Sequence, residues 1–140
     1  MPYHYVVRRI VRRIWRRVNA GDLDAPYRMA AANLRFTVVG DTAIGGNWRG
    51  REAFRDWFHG FARRFADLRF HVEDVALSGW PWHTRVAVRL VVEGTLADGT
   101  GYRNNATQWV TLRWGRMTDD WVVEDTKVVD ACLGPAGRSK

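Results

Sequence analysis

The sequence predicts an α+β domain in which helices from the first half of the chain pack on one face of a curved antiparallel sheet from the second half. Three observations carry this. Residues 5–19 and the stretch from Gly46 to Phe65 space their apolar side chains at the helical period. From Arg69 onward the period changes to two, and the period-two segments are joined by connections short enough to require antiparallel neighbours. Helices followed by such a meander leave the helices on one side of the sheet.

The segment YVVRRIVRRIWRRVN at 5–19 is the clearest helix. Val7, Ile10, Val11, Ile14, Trp15 and Val18 span an arc of about 140° and six arginines occupy the rest. Its like-charge pairs four residues apart oppose the helix by roughly 1 to 2 kcal/mol in total. Burial of the apolar arc, at about 1.5 to 3 kcal/mol for each large side chain, outweighs them. A basic amphipathic helix can also lie on an anionic membrane or on nucleic acid. Here exposed aromatic interleaving is missing and no helix-turn-helix, zinc-finger or RNP-like pattern follows, so a solvated face is expected, with no membrane and no nucleic acid as partner.

Gly21 is placed to cap that helix, and Asp24 before Ala25-Pro26 reads as the N-cap of a second, shorter helix over about Tyr27–Asn33. Leu34–Val39 reads as a strand and Gly40–Gly46 as a glycine-rich loop without phosphate-binding spacing. In the third helix Phe54, Trp57, Phe58, Phe61, Ala62, Phe65 and Leu68 share one arc, with Glu52, Arg55, Asp56, His59 and Arg63 opposite. Four strands follow at Arg69–Gly79, His83–Gly94, Tyr102–Trp114 and Trp121–Asp130.

Alternation assigns faces in two of them. Val86, Val88, Leu90 and Val92 face the helices. The next strand turns Tyr102, Asn104, Ala106, Gln108, Val110 and Leu112 the same way, which puts Asn104 and Gln108 inside. In the last strand Trp121, Val123, Asp125, Lys127 and Val129 alternate with Val122, Glu124, Thr126, Val128 and Asp130, and composition does not choose between the sets. If the first faces inward, Asp125 and Lys127 are buried charges about 7 Å apart and candidates for function; if outward, they are a surface ion pair.

Composition bounds the rest. The 140 residues, 46% apolar and 26% charged, suit one domain, here 1–131, with 132–140 as a flexible tail. Eight tryptophans suit either cavity walls and interfaces or simple core filling. The net charge of +7 is concentrated in residues 1–69, which hold 14 Lys/Arg against 6 Asp/Glu. The single Cys132 forms no internal disulfide and builds no metal site, and the arginine-interrupted N-terminus is no signal or membrane segment, so a cytoplasmic protein is expected.

The helix entry GNWRGREAF at 46–54, the strand start RFHVEDV at 69–75 and the terminal EDTKVVD at 124–130 together resemble the SnoaL-like branch of the NTF2-like superfamily, over about Val6–Asp130. The resemblance implies a cone of three helices and a bent sheet around a deep pocket, often dimeric through the outer sheet face. Ketosteroid isomerases, limonene epoxide hydrolases, scytalone dehydratases, polyketide cyclases and non-catalytic binders share that fold, which leaves the reaction open.

The isomerases' base and protonated acid fall at Val38 and near Val110, and the hydrolases' Arg-x-Asp is missing, with Lys127 at its last-strand position. The resemblance favours the inward phase of the last strand, and polyketide cyclases use an acidic general acid/base. These expectations make Asp125 and Lys127 the catalytic candidates. Trp15, Tyr27, Trp48, Trp57, Phe58, Phe61, Asn104 and Gln108 become the ligand contacts for a small hydrophobic, cyclic molecule, with no cofactor and no metal. The alternative is a non-catalytic ligand-binding or adaptor module, with nucleic-acid or membrane-surface binding through the basic N-terminal helix ranked below it.

Overall fold

The computed structural model describes residues 2–134. In chain order the elements are α1 (Pro2–Asn19), α2 (Ala25–Arg28), β1 (Ala30–Val38), β2 (Gly46–Arg49), α3 (Arg51–Ala62), β3 (Arg69–Trp80), β4 (His83–Thr95), β5 (Gly101–Arg113), β6 (Arg116–Glu124) and α4 (Thr126–Leu133). The six strands form one sheet in the order β2-β1-β6-β5-β4-β3. Every neighbouring pair is antiparallel except β1 with β6, which run parallel. The α+β architecture is the expected one, with α4 as a fourth helix beyond the predicted three.

Helix α1 buries Val7, Trp15 and Val18, with Val11 and Ile14 packed at the margin of the core. Ile10 departs from the expectation. At the edge of the apolar arc it overhangs the contact and is 43% exposed. The helix is tied to β3 at both ends. The His4 ring bonds the Gly79 carbonyl at 2.8 Å, and the Asn19 side chain both donates to the Phe70 carbonyl and accepts from the Phe70 N–H, each at 2.8 Å. Gly21, at φ +104°, closes α1 as predicted, with its N–H on the Val18 carbonyl.

Helix α2 is one turn, shorter than predicted, because the chain from Ala30 is already paired with β6 and cannot stay helical. Asp24 does not cap it through its side chain. The carboxylate instead accepts two hydrogen bonds from Arg55, both at 3.0 Å, and one from His59 at 2.7 Å, which hold its pKa below the usual carboxylate range, His59 foremost. Asp24 thereby joins α2 to the outer face of α3. The residues Gly46–Arg49 read as a helix entry form the edge strand β2, with Trp48 opposite Phe36.

Inside the sheet the predicted faces hold for β4 and β5. Val86, Val88, Leu90 and Val92 are buried, as are Tyr102, Asn104, Ala106, Val110 and Leu112. Strand β6 differs. The chain reverses through Trp114 and Gly115, both at positive φ, the geometry of a tight two-residue hairpin, so β6 starts at Arg116 rather than Trp121. Leu112 pairs with Met117 and Thr111 with Asp119, leaving Thr118 as an extra residue. This bulge shifts the alternation by one. Met117 points inward, and beyond the bulge so do Asp120 and Glu124, while Trp121 stands on the outer face, 42% exposed.

The strand then ends at Glu124. Asp125 leaves the sheet and becomes the N-cap of α4, accepting from the Lys127 N–H at 3.1 Å. Cys132 and Leu133, assigned to the tail, lie in α4, and 135–140 fall outside the described residues.

Candidate functional site

The site lies between α3 and the concave face of the sheet. Helix α3 presents Phe54, Trp57, Phe58 and Phe61 as one wall. They face inward because they recur at three- and four-residue spacing on a helix whose other side carries the bonds to Asp24. Phe36 of β1 locks this wall, with its ring centre 4.9 Å from that of Phe54 and 5.0 Å from that of Trp57, both edge-on. The Trp57 and Phe61 rings stack in parallel 5.2 Å apart, and the Trp57 indole N–H donates to the Ile44 carbonyl at 3.0 Å. Beyond these two rings an open groove of about 630 Å³ is rimmed by Trp48, Asp56, Arg63 and Arg64. Trp57 and Phe61 thus form the partition between that groove and the interior.

The opposite wall is the sheet, with Leu90, Val92 and Ala106 as its apolar part, and Trp15 of α1 adds to the lining. The cavity is about 50 Å³, room for a few water molecules, so a larger ligand is admitted only as the walls move apart. Its polar atoms come from three residues of β5 and β6. These are Gln108, Asp120 and Glu124.

Asp120 is 1% exposed. Gln108, in the neighbouring strand, donates its Nε2 hydrogen to Asp120 Oδ1 at 3.0 Å. One neutral donor does not replace the hydration a carboxylate loses on burial. Burial therefore dominates and pushes the Asp120 carboxyl up to about 7, with Gln108 pulling it down and the nearby Asp119 adding to the rise. Oδ2 is left to a proton or to a ligand.

Glu124, 6% exposed, stands four residues along the same face. Its Oε1 accepts from the Tyr102 hydroxyl at 2.7 Å and from Asn104 Nδ2 at 3.2 Å. Burial again raises its pKa, against the lowering by those two donors. The same carboxyl, with burial foremost, raises the Tyr102 phenol. Asn104 also donates to the Asp125 carbonyl at 3.1 Å, while its Oδ1 is buried without a partner among the described residues.

Of the ligand contacts expected from sequence, Trp15, Trp57, Phe58, Phe61 and Gln108 line the cavity. Asn104 stands behind Glu124, and Trp48 packs on Phe36 at 5.5 Å and faces the outer groove. Tyr27 is elsewhere, its hydroxyl on Glu52 at 2.5 Å beneath Arg51 and Arg55. The catalytic candidates Asp125 and Lys127 require correction. Both are exposed, one capping α4 and the other within it, because the strand stops before them. Asp120 and Glu124 take the places assigned to them. His59 binds Asp24 and His71 binds Glu93 on the surface, away from the cavity.

The arrangement is an apolar chamber holding two buried carboxyls whose proton affinities are raised, each accepting a hydrogen bond from a side-chain amide. It can exchange a proton with an apolar ligand out of contact with bulk water.

Proteins of similar architecture are numerous. A ketosteroid isomerase-like protein from Catenulispora acidiphila, solved in complex with trimethylamine, superposes with a TM-score of 0.75 at 19% identity, over 94% of this chain and 97% of that one. IdmH from Streptomyces antibioticus, described as a candidate polyketide cyclase, gives 0.70 at 21% identity over 89% and 96%. SalBIII, described as an epoxide hydrolase/cyclase-like enzyme in pyran ring formation in the polyether salinomycin, gives 0.71 at 24% over 91% and 96%. At these identities the likeness is one of fold. No curated protein matches the sequence. The model of the SnoaL-like domain matches residues 11–131, and the chain belongs to that family.

Proposed function

We propose that this protein is a small-molecule pocket enzyme, an isomerase, cyclase or dehydratase that moves protons without a cofactor, with Asp120 as its general acid/base. The observation that supports this most is the Asp120 carboxyl, 1% exposed, facing the aromatic cavity and brought to about 7 by its burial. A general acid/base works best when its pKa lies near the operating pH, since both protonation states are then populated. Ionised Asp120 takes a proton through Oδ2 from a carbon beside a carbonyl. Glu124, whose burial favours its protonated form, offers a hydrogen bond to the oxygen on which charge develops. Gln108 fixes the Asp120 carboxyl plane throughout. The aromatic walls select a hydrophobic, cyclic substrate.

The reading is tested on the free protein by following the Asp120 carboxyl stretch in difference infrared spectra from pH 4 to 9, with Asp120→Asn to assign the band. A midpoint near 7 is expected. A midpoint near 4 would make Asp120 an ordinary carboxylate and the pocket that of a non-catalytic binder.

Among the described residues no helix is long and apolar enough to cross a membrane. We place the protein in the cytoplasm on its single cysteine, and as a homodimer through the outer sheet face. There Trp109 lies opposite Trp121, each a little over 40% exposed, with the Arg85 guanidinium 5.9 Å above the Trp109 ring centre. Sedimentation equilibrium at micromolar concentration should give twice the chain mass, and Trp109→Glu should give monomer. A wild-type monomer would remove the dimer.

A further inference from the structure

The Asp120 chamber is not the end of the interior. A second cavity of about 40 Å³ lies under α1 and α2, against the other half of the same sheet face. Trp15, Pro26 and Gln108 line both. Beyond Gln108 the second chamber is walled by hydrocarbon and thioether groups, among them Ile14, Met29, Val88, Val110, Leu112 and Met117. Strand β5 runs through both, with Ala106 in the first, Gln108 at the junction and Val110 and Leu112 in the second. At about 3.4 Å per residue this path is roughly 20 Å long.

Polarity therefore changes sharply along one axis. Glu124 pairs with Ala106 at one end, the Gln108 amide follows, and Asp120 lies opposite Val110 with its carboxyl bonded back to that amide; past these the lining of the second chamber holds no charged side chain. An undecorated ring would use only the first chamber.

We propose that the substrate is elongated and amphipathic, with a carbonyl- or hydroxyl-bearing head between Asp120 and Glu124 and an unbranched hydrocarbon tail passing Gln108 into the second chamber. This rests on the reading of the Asp120 chamber as the substrate site and adds the chemical class of what enters it. Gln108 then has a second task. While its Nε2 hydrogen is engaged by Asp120, its apolar stem lies beside the tail, so it sets the register of the head against the carboxyls.

The test uses 4-alkylphenols from phenol to 4-octylphenol as probes, with dissociation constants from calorimetry. In the wild type each added methylene should tighten binding about fourfold over the first several carbons, after which the gain stops as the chamber fills. Ile14→Phe narrows the chamber from its margin and should remove most of the gain while leaving phenol bound as before. Leu112→Ala should move the plateau to longer chains, and thermal melts check that both variants fold.

A flat series in the wild type, or the same gain per carbon in Ile14→Phe, overturns the second chamber as the tail site. A phenol affinity with the same pH dependence between pH 5 and 9 in the wild type and in Asp120→Asn counts instead against Asp120 as the head's partner, and leaves the chain-length comparison standing. Failure of every probe to bind overturns both.

Discussion

Asp120→Asn lowers kcat for any substrate the pocket turns over by about 10² to 10⁴-fold while KM stays within a few-fold of wild type. The substitution keeps the shape of the side chain, and an amide oxygen accepts the Gln108 hydrogen bond as Oδ1 does. What it removes is the ability to take up and return a proton through the second oxygen. The pH profile carries the sharper signature. If Asp120 acts as the base, wild-type kcat/KM rises with pH and levels above about 7, where the carboxyl is ionised, and the variant's residual rate shows no rise in that interval. Steady-state rates between pH 5 and 9 measure both. A variant with the wild-type rate, or one with kcat intact and KM alone raised, removes Asp120 as the acid/base and leaves it a binding group.

The sequence made the framework of this site legible and misplaced its chemistry, for a local reason. Helix period 3.6 around Phe54–Phe61 and strand period 2 across Val86–Val92 and Tyr102–Leu112 are set by burial on one face, and they identified Trp57, Phe58, Phe61 and Gln108 as cavity residues. In β6 the same logic needed an anchor that the alternation itself did not provide. Counting inward positions from Met117 without interruption puts Trp121, Val123 and Asp125 inside. The extra residue at Thr118 inverts this and brings in Asp120, Val122 and Glu124.

The signal that could have found them was Trp114-Gly115. A glycine directly after a strand and six residues before Trp121 marks a two-residue hairpin, so the strand begins at Arg116 and spends its length before Asp125. Tyr27 failed differently. Its ring was placed by aromatic character alone, and the cations and Glu52 that hold it outside come from α3, which only the fold brings near. Trp48 belongs to the predicted helix entry, and the edge strand β2 turns it to the far side of the partition.

The same buried carboxyl has a cost in stability that can be read without any substrate. In the unfolded chain Asp120 ionises near 3.8, whereas in the fold it does so near 7. Between these values the folded state holds a proton that the unfolded state has lost, so stability falls as pH rises through this window. By linkage the loss amounts to roughly 4 kcal/mol, complete a little above pH 7. Glu124, raised for the same reason, adds to the slope in the same direction.

The lowered carboxyls Asp22, Asp24, Glu93 and Asp98 act oppositely, since their stabilisation is present above about 4 and is lost as pH falls through their folded values. The two effects occupy different pH ranges and do not mask each other. Urea unfolding should accordingly show a maximum near pH 5 and a decline toward pH 8. Asp120→Asn, which carries no titrating proton at this position, should gain roughly 3 kcal/mol on the wild type between pH 5 and pH 8. Equal slopes for the two proteins would mean that Asp120 is solvated in the fold, and the proton affinity on which the proposed chemistry rests would go with it.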